Sequence, residues 1–236
     1  MEIDSPQPRR RRSEKGARTR ERIFQTALRR FQADGFHSAS LRAIAEEAGV
    51  TPALCYRYFE SKDALVGEVY GRLLDQWVER SRAMPAGTWT ARTLWLTRMS
   101  MEVLGPYRPL LGALLMPMLQ GHPTVSPLHN RDSREKGAPQ FLRAVVEAED
   151  APRHAEELAD AAYLAQLAIL FFWAVDRSRD QRATQALLAA VEGASPLIGI
   201  GLKLPFVGPK LLAIGRSVRL GLMGEGQSGL TPEAVP

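Results

Sequence analysis

The stretch SLRAIAEEAGVTPALCYRYFESKDAL, residues 40–65, indicates two short helices joined by a tight turn, with a third helix starting directly after them. Ser40 is a favourable N-cap residue for the first helix. Gly49 stands where a helix end favours a left-handed conformation, which glycine adopts at low cost. Thr51 and Pro52 then supply a capping hydroxyl and an N1 proline, so the second helix is only about two turns long.

The order of helix, glycine turn and short helix is the helix-turn-helix arrangement that places one helix in the major groove of DNA. The residues of this stretch, and roughly residues 18–66 as a whole, resemble the N-terminal signature of the tetracycline-repressor (TetR) family of bacterial regulators. The resemblance is carried by Ser40, Ile44, Ala45, Ala48, Gly49, Val50, Tyr56, Arg57, Tyr58, Phe59, Lys62 and Leu65. It implies an all-α fold of about nine or ten helices. An N-terminal three-helix helix-turn-helix DNA-binding domain would precede a C-terminal helical ligand-binding and dimerisation domain.

Composition and resemblance together divide the 236 residues into four segments. Residues 1–17 hold two prolines, a run of arginines and almost nothing apolar, which predicts a disordered basic arm. Residues 18–66 are the predicted DNA-binding domain, and residues 67–194 are the predicted ligand-binding and dimerisation domain. Residues 195–236 form a predicted C-terminal extension and tail, because glycines and prolines recur there and forbid a single straight helix.

The arm and the extension each allow two interpretations. The arm, which carries Arg9–Arg12, is either a solubilising tail or a segment that follows DNA phosphates or enters a minor groove. Residues 195–224 are apolar with scattered cations, and they either pack over the ligand domain or the dimer contact, or form a basic patch that touches a membrane surface. A net charge of +5 and a pI near 9.6 are only a mild bias towards polyanions.

The resemblance assigns DNA contacts to eight residues in and around the helix-turn-helix. Pro52, Ala53, Tyr56 and Arg57 would approach base edges, Thr51, Tyr58 and Lys62 would meet phosphates, and Arg42 would be a further DNA contact. Cys55 and Phe59 lie four residues apart and should face the supporting helix. Arg57 is the long donor on the exposed face, and it would either read a guanine or bind a phosphate. Lys62 and Arg42 are alternatively solvated cations.

Methionine and aromatic residues in residues 67–194 suggest a roomy apolar cavity for a small, largely apolar effector. The candidate pocket residues are Trp95, Met99, Tyr107, Met116, Met118, Phe141, Tyr163 and Phe172. The alternative for each of them is an ordinary place in the helical core.

Residues 161–175, AAYLAQLAILFFWAV, are apolar around almost the whole circumference of a helix, which predicts burial on every side. The segment is shorter than the roughly 20 residues of a membrane span. We therefore expect its own core on one face and a partner subunit on the other. Ser178 and Gln181 form a capping-box pattern for the next helix. By resemblance, a homodimer would form through helices near residues 154–176 and 180–192.

No catalytic, cofactor or metal site is predicted. The single cysteine excludes an internal disulfide, and the histidines lack the close spacing of metal ligands. The sequence has no nucleophile motif and no phosphate-binding loop. A charged N-terminus without an apolar stretch predicts no signal peptide and hence a cytoplasmic protein.

The predicted function is therefore DNA-binding transcriptional regulation, by a ligand-responsive repressor that binds a pseudo-palindromic operator as a homodimer. Two alternatives come from other classes of protein. A sequence-indifferent DNA-compacting protein would use the arginine-rich arm, and a hydrophobic-ligand carrier or enzyme would use the apolar cavity.

Overall fold

The computed structural model describes residues 8–36, 38–111 and 132–203, together with residues 206, 209, 210, 213 and 216. Over these residues the chain forms eight α-helices and no strand, which confirms the predicted all-α fold. The helices are α1 (Pro8–Asp34), α2 (Leu41–Glu47), α3 (Pro52–Tyr58), α4 (Lys62–Ser81), α5 (Trp89–Leu104), α6 (Ala138–Val146), α7 (Ala155–Val175) and α8 (Arg182–Lys203).

The N-terminal module is built around apolar side chains of α1, α2 and α4. Ile23 and Phe31 of α1, Ile44 of α2 and Leu65 of α4 are all fully buried in one cluster. Helix α1 presents its apolar residues at helical spacing to this cluster, so it acts as the support of the helix-turn-helix.

Helix α1 begins at Pro8, so the prediction of a disordered arm over residues 1–17 is wrong for residues 8–17. Pro8 suits the first turn of a helix, because its missing N–H would have no intrahelical acceptor there. Positions 9–15 hold arginine, serine, glutamate and lysine without a further proline, and most of these favour helix. The helix therefore extends towards the N-terminus from its packed part. Residues 1–7 lie outside the described residues.

Helix α4 runs without interruption from the N-terminal module into the C-terminal domain. Leu65 lies in the core of the module, while the Trp77 ring stacks on Phe141 of α6 with 6.3 Å between ring centroids. The indole N–H of Trp77 also donates to the carbonyl of Leu96 in α5, at 3.4 Å. The side chains at both ends of α4 thus belong to one apolar cluster.

A group of charged residues ties α4 to α1. Arg72 donates to both carboxylate oxygens of Glu21, at 2.9 and 2.6 Å, and to Glu68 at 2.6 Å. Its guanidinium also lies 3.8 Å from the centre of the Phe24 ring. Arg20 pairs with Glu68 as well. The hydrogen bond from Arg72 is the main reason that the pKa of Glu21 falls from 4.5 to about 2.

The C-terminal domain packs α5, α6 and α7 against one another. Arg92 of α5 is only 6% exposed, and its guanidinium donates to the carbonyls of Ala144, Pro85 and Arg143 and to the carboxylate of Glu147. A buried cation is tolerated only when its donors are satisfied, so Arg92 is a structural connection between α5 and α6.

Asp176 organises the corner between α7 and α8. Its carboxylate accepts from the hydroxyl and the N–H of Thr184, at 2.6 and 3.0 Å, and from the N–H of Ser178 at 2.8 Å. These hydrogen bonds lower the pKa of Asp176. The predicted capping box between Ser178 and Gln181 is therefore wrong. The N–H of Ser178 donates to Asp176, and the Gln181 side chain accepts from the indole N–H of Trp173.

Helix α8 continues to Lys203 with Pro196 inside it, so the predicted domain boundary at residues 194/195 falls within a helix. The prediction that glycines and prolines forbid a single straight helix after residue 194 is wrong for residues 195–203, which continue α8. A proline removes one backbone hydrogen bond, and the alanine- and leucine-rich turns before it have high enough helix propensity to offset that loss. Most of the predicted extension beyond Lys203 lies outside the described residues.

Candidate nucleic-acid interface and ligand cavity

The turn between α2 and α3 is fixed by capping hydrogen bonds. Ser40 Oγ accepts from the N–H of Ala43 at 3.1 Å, and Thr51 Oγ1 accepts from the N–H of Leu54 at 3.2 Å. Gly49 adopts φ = 63°, the left-handed conformation that the sequence pattern requires. The predicted helix-turn-helix is thus present, with its caps as expected.

Helix α3 has one buried and one exposed face. Cys55 is fully buried and Phe59 is 2% exposed, as predicted for the side that meets the supporting helix. Burial raises the pKa of the Cys55 thiol, which fits a small core side chain. The other face consists of exposed Pro52, Ala53, Tyr56 and Arg57. These are the four residues expected at base edges.

The three residues expected at phosphates have intramolecular contacts. The Thr51 hydroxyl caps α3, and half-buried Tyr58 lies beside α1, where its hydroxyl is next to Gly16. Lys62 donates to the carbonyl of Phe36 at 2.9 Å, and its ammonium lies 4.5 Å from the centre of the Phe36 ring. The Thr51 hydroxyl accepts in the cap, so its O–H stays available to donate to a phosphate, which only accepts hydrogen bonds. The phosphate assignment stays a prediction.

Arg42 and Arg57 differ from the arginines of the module that the fold pairs with carboxylates. Arg20 and Arg72 are held by Glu68, and Arg30 is held by Glu47 at 2.5 Å. Arg42 and Arg57 are exposed, and within the described part of the chain they have neither an ion-pair nor a hydrogen-bond partner. A cation without an internal carboxylate is available to an external anion or base edge.

Residues 23–69 match the family model described as bacterial regulatory proteins, tetR family. These residues include all of α2 and α3, the turn at Gly49 and the exposed face just described. This module is thus similar to the DNA-binding part of bacterial tetR-family regulators. The match ends inside α4, so it covers the helix-turn-helix and not the C-terminal domain.

The curated relatives UidR and RutR are transcriptional regulators by name. The chain is 44% identical to UidR of Escherichia coli K12 over 48 residues, which are 20% of this chain and 24% of UidR. It is 34% identical to RutR of the same organism over 102 residues, 43% of this chain and 48% of RutR. The chain therefore spans about a quarter to a half of the length of these relatives. Their names support an inference about the DNA-binding module more than about the C-terminal domain.

Two solved structures share the fold of most of this chain. A tetR-family regulator from Streptomyces coelicolor aligns with a TM-score of 0.58 and 20% identity, over 85% of this chain and 89% of that one. A TetR regulator from Nitrosomonas europaea aligns with a TM-score of 0.53 and 19% identity, over 73% of this chain and 94% of that one. At such identity the likeness establishes the architecture of both domains.

A cavity of about 100 Å³ lies between α4, α5 and α7. Its described lining is apolar except for the hydroxyls of Tyr70, Ser100 and Tyr163 and the amide of Gln166, and it includes no charged side chain. Ser100 donates to the amide oxygen of Gln166 at 3.3 Å, and Gln166 is only 6% exposed. The cavity suits an uncharged molecule with a polar group near Gln166.

Of the eight predicted pocket residues, only Tyr163 is among the described residues lining this cavity. Met99 and Phe141 are buried in the core, and Trp95 and Tyr107 are half-buried beside it. Phe172 is 41% exposed on the outer side of α7 and does not line the cavity. Met116 and Met118 lie outside the described residues. The assignment of these eight residues to an effector pocket stays a prediction, since residue type cannot tell which face of a helix borders a void and which packs tightly.

The polar lining of the cavity was missed from sequence although a signal was present. Gln166 is the polar interruption of the apolar run 161–175, where a side chain without a partner would be costly. Gln166 also lines a second cavity of about 330 Å³ between α5, α7 and α8, together with Thr93, Thr97 and Val191. Its position between both cavities could not be derived without the helix packing.

Helices α7 and α8 carry exposed apolar stripes. On α7 the stripe consists of Ala165, Ala168, Phe172 and Val175, and on α8 it consists of Ala186, Ala190, Gly193, Leu197 and Ile200. The spacing of three and four residues is that of helix–helix seams. Ile169 and Leu188 pack α7 against α8, so the two stripes belong to neighbouring helices.

Helix α7 spans 21 residues and is, by length and composition, the one described helix that could cross a membrane. The helix is longer than the apolar run 161–175, because α7 begins at Ala155, six residues before that run. Its N-terminal turns carry Glu156, Glu157 and Asp160, and Tyr163 and Leu167 are buried in the protein core. We attribute its apolar character to that core and to the exposed stripe. Over the described residues, no group of three His, Cys, Asp or Glu side chains could hold a metal ion.

Proposed function

We propose that this protein is a ligand-responsive transcriptional repressor that binds a pseudo-palindromic DNA operator as a homodimer. The observation that carries the proposal is the exposed face of α3, with Arg57 unpaired within the described residues, in a module that matches the tetR family. The names of the curated relatives support regulation of transcription.

The exposed stripes of α7 and α8 support a homodimer. An apolar stripe on two neighbouring helices is costly in water, and the same stripes on a second copy would complete a four-helix contact. A two-fold dimer presents two copies of α3. These would enter successive major grooves about 34–36 Å apart on one side of the duplex.

The cavity supports control by a small uncharged effector. Its volume of about 100 Å³ is below that of ordinary small-molecule pockets, which begin near ~300 Å³. An effector that fills a pocket of ~300 Å³ would push α4 or α7 outwards when it binds. Helix α4 is continuous with the DNA-binding module. The effector would thus favour a state in which the two α3 helices no longer match the operator spacing.

Selection of binding sites from randomised duplexes, with purified protein at moderate salt, tests the DNA-binding part of this proposal. We expect enrichment of one inverted repeat, whose half-sites lie about one helical turn apart. Tight binding without enrichment would favour sequence-indifferent DNA compaction. Failure to bind any duplex at low salt would favour a carrier or an enzyme.

Filling the cavity tests the effector part. A panel of uncharged aliphatic ketones and esters is screened for release of the selected duplex and for a rise in Tm. Leu170→Phe fills the cavity and should abolish the response while operator binding remains. The control is Leu164→Phe, at a half-buried position of α7 that is not among the residues lining either cavity. Equal responses in both variants would exclude this cavity as the effector site.

A further inference from the structure

The second cavity, between α5, α7 and α8, takes no part in the proposed function. Its volume is about 330 Å³, within the ~300–1,000 Å³ that small-molecule pockets commonly occupy, whereas the effector cavity measures about 100 Å³. The buried Gln166 is among the residues that line both cavities. We call the larger one the α5/α7/α8 groove. It is large enough for a second ligand that does not enter the effector cavity.

Glu157 supplies the one charged group among the described residues that line the α5/α7/α8 groove. It stands in the first turn of α7 and is partly exposed. Within the described part of the chain, its carboxylate accepts no hydrogen bond. Its one ion-pair candidate there is the exposed His154, whose Nδ1 lies 3.9 Å from Glu157 Oε1 and which is charged only when protonated. The carboxylate is therefore available to a cationic group of a ligand.

The chain around the start of α7 is acidic, although the whole protein has a net charge of +5. Residues 147–160 hold six carboxylates and one arginine, so the local charge is negative. The backbone N–H of Trp89 donates to the carboxylate of Asp150 at 2.8 Å, which ties the start of α5 to the segment just before α7. Trp89 and Glu157 thus lie where their two helices begin, in a negative potential that favours a cation.

Two buried threonines of α5 and an aromatic ring add to this preference. Thr93 and Thr97 both line the α5/α7/α8 groove. The hydroxyl of Thr93 donates to the carbonyl of Thr90 at 3.1 Å, and that of Thr97 donates to the carbonyl of Thr93 at 3.0 Å. Because both protons are engaged, a ligand can use these two oxygens only as acceptors. Trp89 also lines the groove, and the face of an indole ring attracts an ammonium group.

We propose that the α5/α7/α8 groove binds an amphipathic amine. Its ammonium group would lie beside Glu157 and Trp89, and its apolar chain would follow α7 towards Ile169, which also lines the groove. From Glu157 to Ile169 the helix rises about 18 Å at 1.5 Å per residue, so the groove suits an elongated molecule. The ligand differs in charge from the uncharged effector, and the inference does not depend on the proposed DNA binding.

Calorimetric titration with octylamine, and with 1-octanol as an uncharged probe of the same chain length, tests the inference. The wild type should bind octylamine more tightly than octanol. Glu157→Gln should weaken octylamine binding about tenfold and leave octanol binding unchanged, because only the charged contact is lost. The control is Glu156→Gln, at the neighbouring exposed carboxylate that is not among the residues lining the groove. It should keep the wild-type affinity for both probes.

A second variant fills the α5/α7/α8 groove. Ala161→Phe, at a half-buried position that lines it, should abolish octylamine binding. Ala183→Phe, at a half-buried position of α8 outside the described lining of either cavity, should bind octylamine as the wild type does. Circular dichroism checks that both variants keep their helix content.

Three results would overturn the inference. The first is equal affinity of the wild type for octylamine and octanol, or no octylamine binding at all. The second is an equal loss of octylamine affinity in Glu157→Gln and Glu156→Gln, which would indicate a general charge effect. The third is octylamine binding that appears only after dilution to the monomer, which would assign the groove to a second copy of the chain. Failure of the wild type to bind DNA would leave the inference standing.

Discussion

Arg57 is the residue of α3 on which the proposed base recognition would depend most. Its guanidinium is exposed and unpaired within the described residues, on the same face as Pro52, Ala53 and Tyr56, which have no comparable set of donors. Arginine can donate two parallel hydrogen bonds to a guanine, and such a pair discriminates between bases by about 1–3 kcal/mol.

We therefore expect Arg57→Ala to relax specificity at one position of each half-site, by about 1–3 kcal/mol, since alanine cannot donate these two hydrogen bonds. The measurement is the affinity for duplexes in which each operator position is varied in turn. Arg153→Ala, an exposed arginine of the C-terminal domain, is the control and should leave the profile unchanged. An equal loss of affinity on all sequences would show that Arg57 binds only phosphate.

Substitutions at Gly49 and Gly71 separate the effect of left-handed backbone strain in the turn from the effect of helix propensity in α4. An added Cβ would meet nothing within 4 Å at either glycine, but Gly49 has φ = 63° and Gly71 lies inside α4. We expect Gly49→Ala to lower the free energy of unfolding by about 1–2 kcal/mol, through the left-handed strain. Gly71→Ala should raise it by about 0.5–1 kcal/mol. Urea denaturation measures both, and shifts of the same sign would contradict this explanation.

At the scale of elements, the contact between α1 and α4 joins the DNA-binding module to the helix that borders the cavity. Arg72 donates to Glu21 of α1 and to Glu68 of α4, and stacks on Phe24. Through the ion pair of Arg72 with Glu21, α4 is tied to α1, which supports the helix-turn-helix. This ion pair is also a source of pH dependence.

The pKa of Glu21 is about 2 in the folded protein and near 4.5 without Arg72 and its other partners. A depressed folded pKa stabilises the protein above the unfolded value, and the stabilisation is lost as the pH falls from about 4.5 to about 2. We expect Glu21→Gln to flatten the fall of Tm in this window. The effect should be modest and salt-sensitive, because the Glu21 side chain is nearly half exposed.

Thermal denaturation between pH 6 and pH 2, at low and high salt, measures the effect (roughly the window in which the carboxylate protonates). Glu46→Gln, at an exposed carboxylate of α2 without an ion-pair partner in the described chain, is the control. It should keep the wild-type profile. Identical profiles for Glu21→Gln and the wild type would show that the ion pair contributes nothing to acid stability.

At the scale of the whole molecule, the exposed stripes of α7 and α8 are the proposed contact between two copies. Ala168 lies in the middle of the α7 stripe and is exposed in the single chain. Ala168→Glu would place an unpaired charge in a buried seam, which costs more than about 1.4 kcal/mol and weakens the dimer at least about tenfold.

We expect Ala168→Glu to sediment as a monomer at concentrations where the wild type is a dimer, and to lose affinity for the inverted repeat. Ala91→Glu, an exposed alanine in the first turn of α5, is the control, because a carboxylate is favourable there. A dimeric Ala168→Glu protein would exclude the α7 stripe from the contact. A monomeric wild type would contradict the homodimer itself.

The sequence by itself determined the helix-turn-helix, because its signals are local. Caps at Ser40 and Thr51 and the left-handed Gly49 act within one turn of backbone, and the burial of Cys55 and Phe59 follows from helical spacing. The same local rules misjudged the ends of α1 and α8. At these two ends the local preferences for helix and for other conformations are weak. A helix that has already formed therefore extends through the residues concerned.

Only the tertiary structure decided which residues border the cavity and which charges are neutralised. Gln166 joins two cavities, Phe172 lies outside them, and Arg20 is paired while Arg18 is not. These outcomes depend on the rotation of each helix and on residues distant in sequence, such as Glu68 beside Arg20. Residue type and periodicity show which face of a helix is apolar. Which element packs against that face depends on how all the helices pack together.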